Sequence, residues 1–334
     1  MLDKLHPHLV REGCVAAFAG RDAFKNLSQN GARGRWASGD PVLGEGWDQF
    51  RSNEGADRVF GADPAPIISP KFKLPAEMKI FASGSCFARE IERALFLKGK
   101  DVLSWTPNLD GIGEEYFHRY TTQAIINDFS FALNGGWSED NIVKVGDQYV
   151  DYTGYGKFSS LEDAAQTRRA VIDIHRKVLD ADVLFITLGL VETWFDKSTS
   201  TYTNTVPYGQ IRGDRYELRV TDFRENLEAL RRFIDALRQH RPDLKIVLTV
   251  SPVPLRVTFS SDDVVVANTY SKSVLRAVAQ EIVQADDLID YFPSYEMVTL
   301  ANPDAAWLPD RRHVRREFVA KIIDRFMTAY SEEA

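Results

Sequence analysis

The chain has 334 residues and a formal net charge of -7, long enough to bury a substantial core in one large domain or two small ones, and without a global basic field for nucleic acid or an anionic membrane. Its two cysteines, Cys14 and Cys86, form no CxxC pair, which excludes a disulfide framework and a structural zinc site; a single bridge between them is neither required nor excluded. No long apolar run reads as a membrane span or a leader, so the expected location is cytoplasmic and the expected partner a small molecule or another polymer.

Residues 1–70 are rich in Gly, Asp, Arg and Asn, close on "PAPIISPKFKLP" and show no sustained periodicity. They read as an extension packed on a domain formed by residues 71–334. From Lys79 the chain alternates apolar strands with amphipathic helices. Strands are predicted over Lys79–Ser83, Asp101–Ser104, Val183–Leu188, Lys245–Val250 and Leu288–Tyr291. Helices are predicted near 87–98, 120–133, 160–179, 221–239 and 263–284, followed by a last one carrying Phe318, Val319, Ile322, Ile323 and Phe326 on one face. This order is the signature of an α/β fold, a flavodoxin-like three-layer α/β/α sandwich on a central, mostly parallel five-stranded sheet. Two stretches interrupt it. "IVKVGDQYVDY" reads as a hairpin turning at Gly146-Asp147, and the polar residues 196–220 carry turn signals; insertions are therefore placed near 134–160 and 196–220, at the functional edge of the sheet.

In open parallel sheets ligands bind beyond the carboxyl ends of the strands, so the segments that follow each strand are where chemistry is expected. Ser85 and Cys86 follow the first strand, at a strand-to-helix turn. Such a turn lifts a side chain toward helix N-terminal amides, which suits a nucleophile, and it equally suits a plain helix cap. "LGLVETW" follows the third strand and "SPVPLRVTF" the fourth. Beyond the fifth, Asp310 stands three residues before His313. A histidine base activates a serine hydroxyl, and a carboxylate fixes the histidine tautomer. The plainer reading has Asp310 capping the final helix and His313 solvated among Arg311, Arg312, Arg315 and Arg316.

The strings GSCFA at Gly84–Ala88, "TLGLVETW", "SPVPLRVTF", "SKSVLR" at Ser271–Arg276, "YFPSYE" at Tyr291–Glu296 and the W-x-x-D-x-R-H ending together resemble the GSCFA family, over roughly residues 67–330. That family is similar to the SGNH (GDSL-like) hydrolases. The resemblance implies an SGNH-like sandwich and a serine-dependent esterase or O-acyltransferase, acting through an acyl-serine on ester groups, in the first place acetyl, of a carbohydrate or polysaccharide. It assigns Ser85 as nucleophile, His313 as base and Asp310 as its orienting acid.

The third block lacks the asparagine that the SGNH pattern uses as an oxyanion donor, leaving Gly111, Gly189 and Thr193 as candidates. Glu192 either binds a substrate hydroxyl or pairs with Arg256. Trp194, Tyr120 and Trp307 form a sugar platform or cover the core, and Trp137, Tyr152, Tyr202 and Tyr208 in the insertions offer further faces for a sugar. An arginine of the 311–316 cluster beside the site could hold a substrate phosphate or carboxylate. Cys86 reads as a small buried hydrophobe. No His/Cys/Asp grouping has metal-ligand spacing, so no metal and no resident cofactor are expected, with acetyl-CoA a candidate acyl donor. The competing reading, prompted by the absent asparagine, is a non-catalytic glycan-binding or scaffold module. The oligomeric state is left open.

Overall fold

The run Val183–Leu188 is buried at every position, as expected of a strand covered on both faces, and its side chains divide between two cores by alternation. Val183 and Phe185 pack in one cluster, and Leu184, Ile186 and Leu188 in the other. The computed structural model describes residues 66, 68–106, 113–207 and 213–332; the extension predicted over residues 1–70 lies almost wholly outside them.

The elements run β1 (Lys79–Gly84), α1 (Cys86–Leu97), β2 (Asp101–Val102), α2 (Thr122–Asn134), β3 (Ile142–Val145), β4 (Gln148–Asp151), β5 (Gly156–Phe158), α3 (Leu161–Arg176) and β6 (Val183–Leu188). They continue with β7 (Glu192–Asp196), β8 (Thr201–Thr203), β9 (Tyr216–Val220), α4 (Phe223–His240), β10 (Lys245–Val250), α5 (Val264–Ala285) and β11 (Ile289–Tyr291), and close with α6 (Ser294–Leu300), α7 (Pro303–Ala306) and α8 (Arg316–Tyr330). Five strands form one parallel sheet in the order β2-β1-β6-β10-β11. Numbered among themselves they run 2-1-3-4-5, the flavodoxin-like winding, whose topological switch point lies between β1 and β6. Side chains of α2, α3, α4 and α5, among them Phe129, Ile174, Phe233 and Leu275, cover one face. Those of α1, α6 and α8, among them Ile91, Met297 and Phe326, cover the other. The result is the predicted three-layer α/β sandwich.

The predicted boundaries hold for β6 and β10, and β2 is shorter than predicted. Leu103 still donates to the Ile80 carbonyl (2.8 Å), but at the next position the Ser104 hydroxyl takes the Ala82 N–H (2.9 Å), so a side chain replaces the ladder. The hairpin at Gly146-Asp147 forms as β3 and β4, with Gly146 at φ 61°, a value glycine adopts freely. The antiparallel sheet β3-β4-β5 lies in the first insertion, and the sheet β8-β7-β9 joins strands of the second to β7 just before it. β7 was not predicted: its exposed and buried positions do not alternate, so it lacks the period-2 signal.

A charged cluster is sealed beneath α2. Asp128 accepts from Arg119 and Arg168, and His175 Nε2 lies 3.4 Å from it. Burial pushes the Asp128 carboxyl up, but the two guanidinium groups prevail and hold it near 2. Burial, aided by the neighbouring arginines, lowers the His175 pKa to about 4, so this imidazole is neutral at pH 7. A histidine whose folded pKa lies below its unfolded value of about 6.5 binds its proton more readily in the unfolded chain. Stability is therefore complete above that value and falls as pH drops toward 4. Scanning calorimetry from pH 7.5 to 4 is expected to show a falling melting temperature across this window, with part of the fall abolished in His175→Gln. A fall of the same size in that variant would assign it to other groups, such as His118, whose pKa burial also lowers to about 4.

Candidate functional site

Ser85 follows directly on β1 and caps α1, its hydroxyl accepting from the Phe87 N–H (3.3 Å). The cap and the nucleophile readings thus describe one geometry, because the turn that caps the helix also places Ser85 at the β1/β6 switch point. Gly84 makes the turn possible. Its φ is 150°, and a Cβ there would stand 2.5 Å from the Thr187 carbonyl oxygen on neighbouring β6, so no larger residue fits. Ser85 is 3% exposed and lines a cleft of about 730 Å³ together with Cys86, Tyr120, Gly189, Ser251 and Arg312.

The Ser85 hydroxyl donates to Ser251 Oγ (2.9 Å). Ser251, just past β10, also accepts from the Val253 N–H (3.3 Å). Ser251 opens the "SPVPLRVTF" block, and nothing in that string marks this contact.

The Asp310–His313 pair forms as expected. His313 Nδ1 lies 2.6 Å from Asp310 Oδ2, while Asp310 Oδ1 accepts from the backbone N–H groups of Arg312 and His313, each at 3.0 Å. These bonds, first those from His313, hold the Asp310 carboxyl well below the usual carboxylate range. Asp310 therefore orients the imidazole and leaves Nε2 as the free ring nitrogen. The loop that carries the pair is closed by the Leu308 N–H to His313 carbonyl bond (2.8 Å) and by a Trp307–Val314 bridge. Arg311 holds a left-handed φ of 54° within it.

The structure brings His313 and Asp310 together but does not bond His313 to Ser85: the Ser85 proton is turned to Ser251. The His313 side chain is 48% exposed, and its neighbour Arg312 lines the cleft. His118, whose ring lies 3.2 Å from the Tyr120 hydroxyl, stands beside a residue that lines the same cleft.

Of the candidate oxyanion donors, Gly111 lies outside the described residues. The Thr193 hydroxyl is directed to the Thr203 carbonyl at 3.5 Å, so its proton is already engaged. Gly189 remains. The Leu188 carbonyl accepts from the Ser251 N–H (2.7 Å) on the β10 side, and a trans peptide points the next N–H the opposite way, toward β1 and the Ser85 turn. The following peptide is clamped at both ends. The Leu190 N–H donates to the Tyr120 carbonyl (2.7 Å), and the Gly189 carbonyl accepts from Lys272 Nζ (2.9 Å). A Cβ at Gly189 would meet the Tyr120 carbonyl oxygen at 2.3 Å.

Lys272 also donates to the Val253 carbonyl (2.8 Å), tying the loop after β6 to the loop after β10. Burial lowers its pKa to about 7, against a pull upward from nearby Cys86. Lys272 belongs to the "SKSVLR" block of the sequence. The signal was its phase, since Lys272 falls on the stripe of Leu275, Ala279 and Val283 that α5 buries.

The structure decides between the alternatives left open for Glu192 and Trp307 and corrects the reading of two insertion aromatics. Glu192 does not pair with Arg256, because Thr258 Oγ1 (2.6 Å) and the Phe259 N–H (2.9 Å) engage its two oxygens. Arg256 stays exposed on the cleft wall. Trp307 packs against the α1/α8 core and not in the cleft. Among the insertion aromatics, Trp137 packs near α3 and Tyr202 against Phe195 (5.1 Å), while Tyr208 lies outside the described residues. Trp194, Tyr120 and Tyr152 do line the cleft, as do Tyr155 and Phe259. Cys86 carries a free thiol whose pKa burial raises, which disfavours the thiolate. Among the described residues no helix is long and apolar enough to cross a membrane.

Among solved structures the chain is similar to a family 3 carbohydrate esterase from Clostridium thermocellum, 13% identical, with 75% of this chain and 94% of that chain covered at a TM-score of 0.34. It is similar also to a carbohydrate esterase family 3 protein from Talaromyces cellulolyticus, at 12% identity, 75% and 96% coverage and a TM-score of 0.31. A third is an acetyl xylan esterase from the rumen bacterium Butyrivibrio proteoclasticus, at 14% identity, 79% and 64% coverage and a TM-score of 0.28. No curated protein matches the sequence. The GSCFA family model matches residues 79–326, from the first residue of β1 into α8, and the chain belongs to the GSCFA family.

Proposed function

We propose that the protein is a serine-dependent esterase or O-acyltransferase that forms an acyl-Ser85 intermediate and acts on O-acetyl groups of a carbohydrate. The observation that carries this reading is the position of Ser85 at the switch point, facing a cleft whose adjoining loop presents a histidine already oriented by a carboxylate.

In the first step Ser85 Oγ attacks the ester carbonyl carbon while its proton passes to His313 Nε2. The tetrahedral oxyanion is met by the Gly189 N–H and by the Cys86 N–H at the start of α1. The C–O bond of the leaving alcohol then breaks, and His313 returns the proton to that oxygen. Water or a sugar hydroxyl, deprotonated by His313, attacks the acyl-Ser85 carbonyl and releases the serine. This sequence needs the Ser85 hydroxyl to rotate from Ser251 to His313. Nucleophile–base hydrogen bonds are commonly long or misdirected before substrate binds and tighten in the complex.

The aromatic walls and the surrounding hydroxyl and amide groups support a sugar as the bound partner, since such sites combine apolar platforms with a few placed polar groups. A cytoplasmic location would give access to an activated donor such as acetyl-CoA. Supplying an acyl donor with and without oligosaccharides, and following both products by mass spectrometry, is expected to show acylated sugar outpacing free acid whenever an acceptor is present. Free acid alone, formed in a Ser85-dependent way across a broad acceptor panel, would make the protein an esterase and remove the transfer step. The second reading, a glycan-binding module without turnover, is favoured by the Ser85–Ser251 bond; sugar binding with neither product formed is its signature.

A further inference from the structure

Four arginines crowd the start of α8, and three are engaged. Arg311 pairs with Asp304 (2.6 Å), Arg315 Nε donates to the Asp304 carbonyl (3.0 Å), and Arg316 lies 3.4 Å from Glu90. Arg312 differs from them. Its guanidinium makes no hydrogen bond or ion pair among the described residues, yet it is half-buried and its Nε is sealed from solvent without a partner. It lines the Ser85 cleft, and its charge reaches the Cys86 thiol and the Tyr120 hydroxyl, where it offsets part of the upward shift that burial imposes on both. A partly desolvated cation without a partner is unfavourable, and an anion in the cleft would relieve it.

The rest of the lining points the same way. Arg256, on the loop after β10, lines the same cleft and has no ion pair among the described residues. Both oxygens of Glu192 are engaged by Thr258 and Phe259, and the other lining carboxylate, Glu115, is exposed. This cationic wall belongs to a chain whose net charge is -7, so it is a local feature and not a reflection of composition.

We propose that the cleft takes an anionic glycan, with the Arg312 guanidinium gripping a carboxylate or phosphate oxygen pair next to the ester and Arg256 holding a second anionic group of the chain. Guanidinium suits both groups because its planar fork donates two parallel hydrogen bonds to either one. This inference rests on the proposed ester chemistry only for what happens at Ser85; anion recognition is separable from turnover.

The test is equilibrium binding by calorimetry to the full-length Ser85→Ala chain, which holds ligand without consuming it. The probes are O-acetylated oligogalacturonate, an O-acetylated neutral xylo-oligosaccharide of equal length and a phosphorylated oligosaccharide. The acidic probes are expected to bind at least about tenfold more tightly than the neutral one, with an advantage that shrinks as salt rises. Adding Arg312→Gln is expected to remove roughly ten- to a hundredfold of that affinity, and Arg312→Lys to recover only part of it. Preference for the carboxylate or for the phosphate probe identifies the natural group. Equal affinity for acidic and neutral probes, no binding of any probe, or acidic binding indifferent to Arg312→Gln would overturn the proposal. Failure of the ester chemistry shows up elsewhere, as the wild-type chain binding the acidic probe and leaving its acetyl groups in place.

Discussion

Ser85→Ala is expected to lower ester turnover by about ten-thousandfold or more, while Cys86→Ala leaves it within a few-fold of the starting chain. The size follows from the work the hydroxyl does: without it no acyl-enzyme forms, and what remains is catalysis by the oxyanion donors and by binding alone. The contrast follows from the environment of the two neighbours. Burial raises the Cys86 pKa, so its thiolate is scarce at pH 7, whereas Ser85 faces the cleft and has a histidine base on the adjoining loop. The substitution also removes the α1 cap, worth about 1 kcal/mol. A thermal melt of each variant separates that small loss from the chemical one. A steady-state assay with an aryl acetate reads the rates, and a large loss in Cys86→Ala with a small one in Ser85→Ala would make this a thiol enzyme.

The other large effect is on stability. Asp128→Ala is expected to destabilise the fold by about 3–5 kcal/mol, because it leaves Arg119 and Arg168 charged and buried without their shared carboxylate. For a domain of this size that corresponds to a drop in melting temperature of roughly 10 °C. Asp128→Asn, which keeps the shape and removes the charge, is expected to lose much of the same stability. If calorimetry shows both variants melting within about 2 °C of the parent, the cluster is solvated and the buried-charge description is wrong. The cluster also positions the site indirectly, because the Arg119 N–H donates to the Gly84 carbonyl (2.7 Å) immediately before Ser85.

The parallel sheet was legible in the sequence because its strands are fully buried runs, such as Val183–Leu188 and Lys245–Val250, separated by helices with a clear 3.6-residue period. Ser85, Gly189, Asp310 and His313 were legible because each directly follows a strand or sits in a short fixed loop. The antiparallel strand β7 was not, since the consecutive residues Glu192, Thr193 and Trp194 all line the cleft and burial along the strand does not alternate. Contacts that depend on rotamers were equally hidden. The Ser85–Ser251 bond joins residues 166 positions apart, and the engagement of Glu192 by Thr258 and Phe259 rests on how the loop after β10 folds back. Lys272 looks like one charge among many in an amphipathic helix, and only its place on the apolar stripe of α5 marks it as buried.

Labelling the wild-type chain with a fluorophosphonate and mapping the modified peptide addresses the proposed chemistry at its first step. Modification is expected on Ser85 alone, slowed strongly in His313→Ala and absent in Ser85→Ala. A label on Ser251 or Cys86, or a folded wild-type chain that takes no label, would show that Ser85 is not an activated nucleophile and leave the cleft as a binding site.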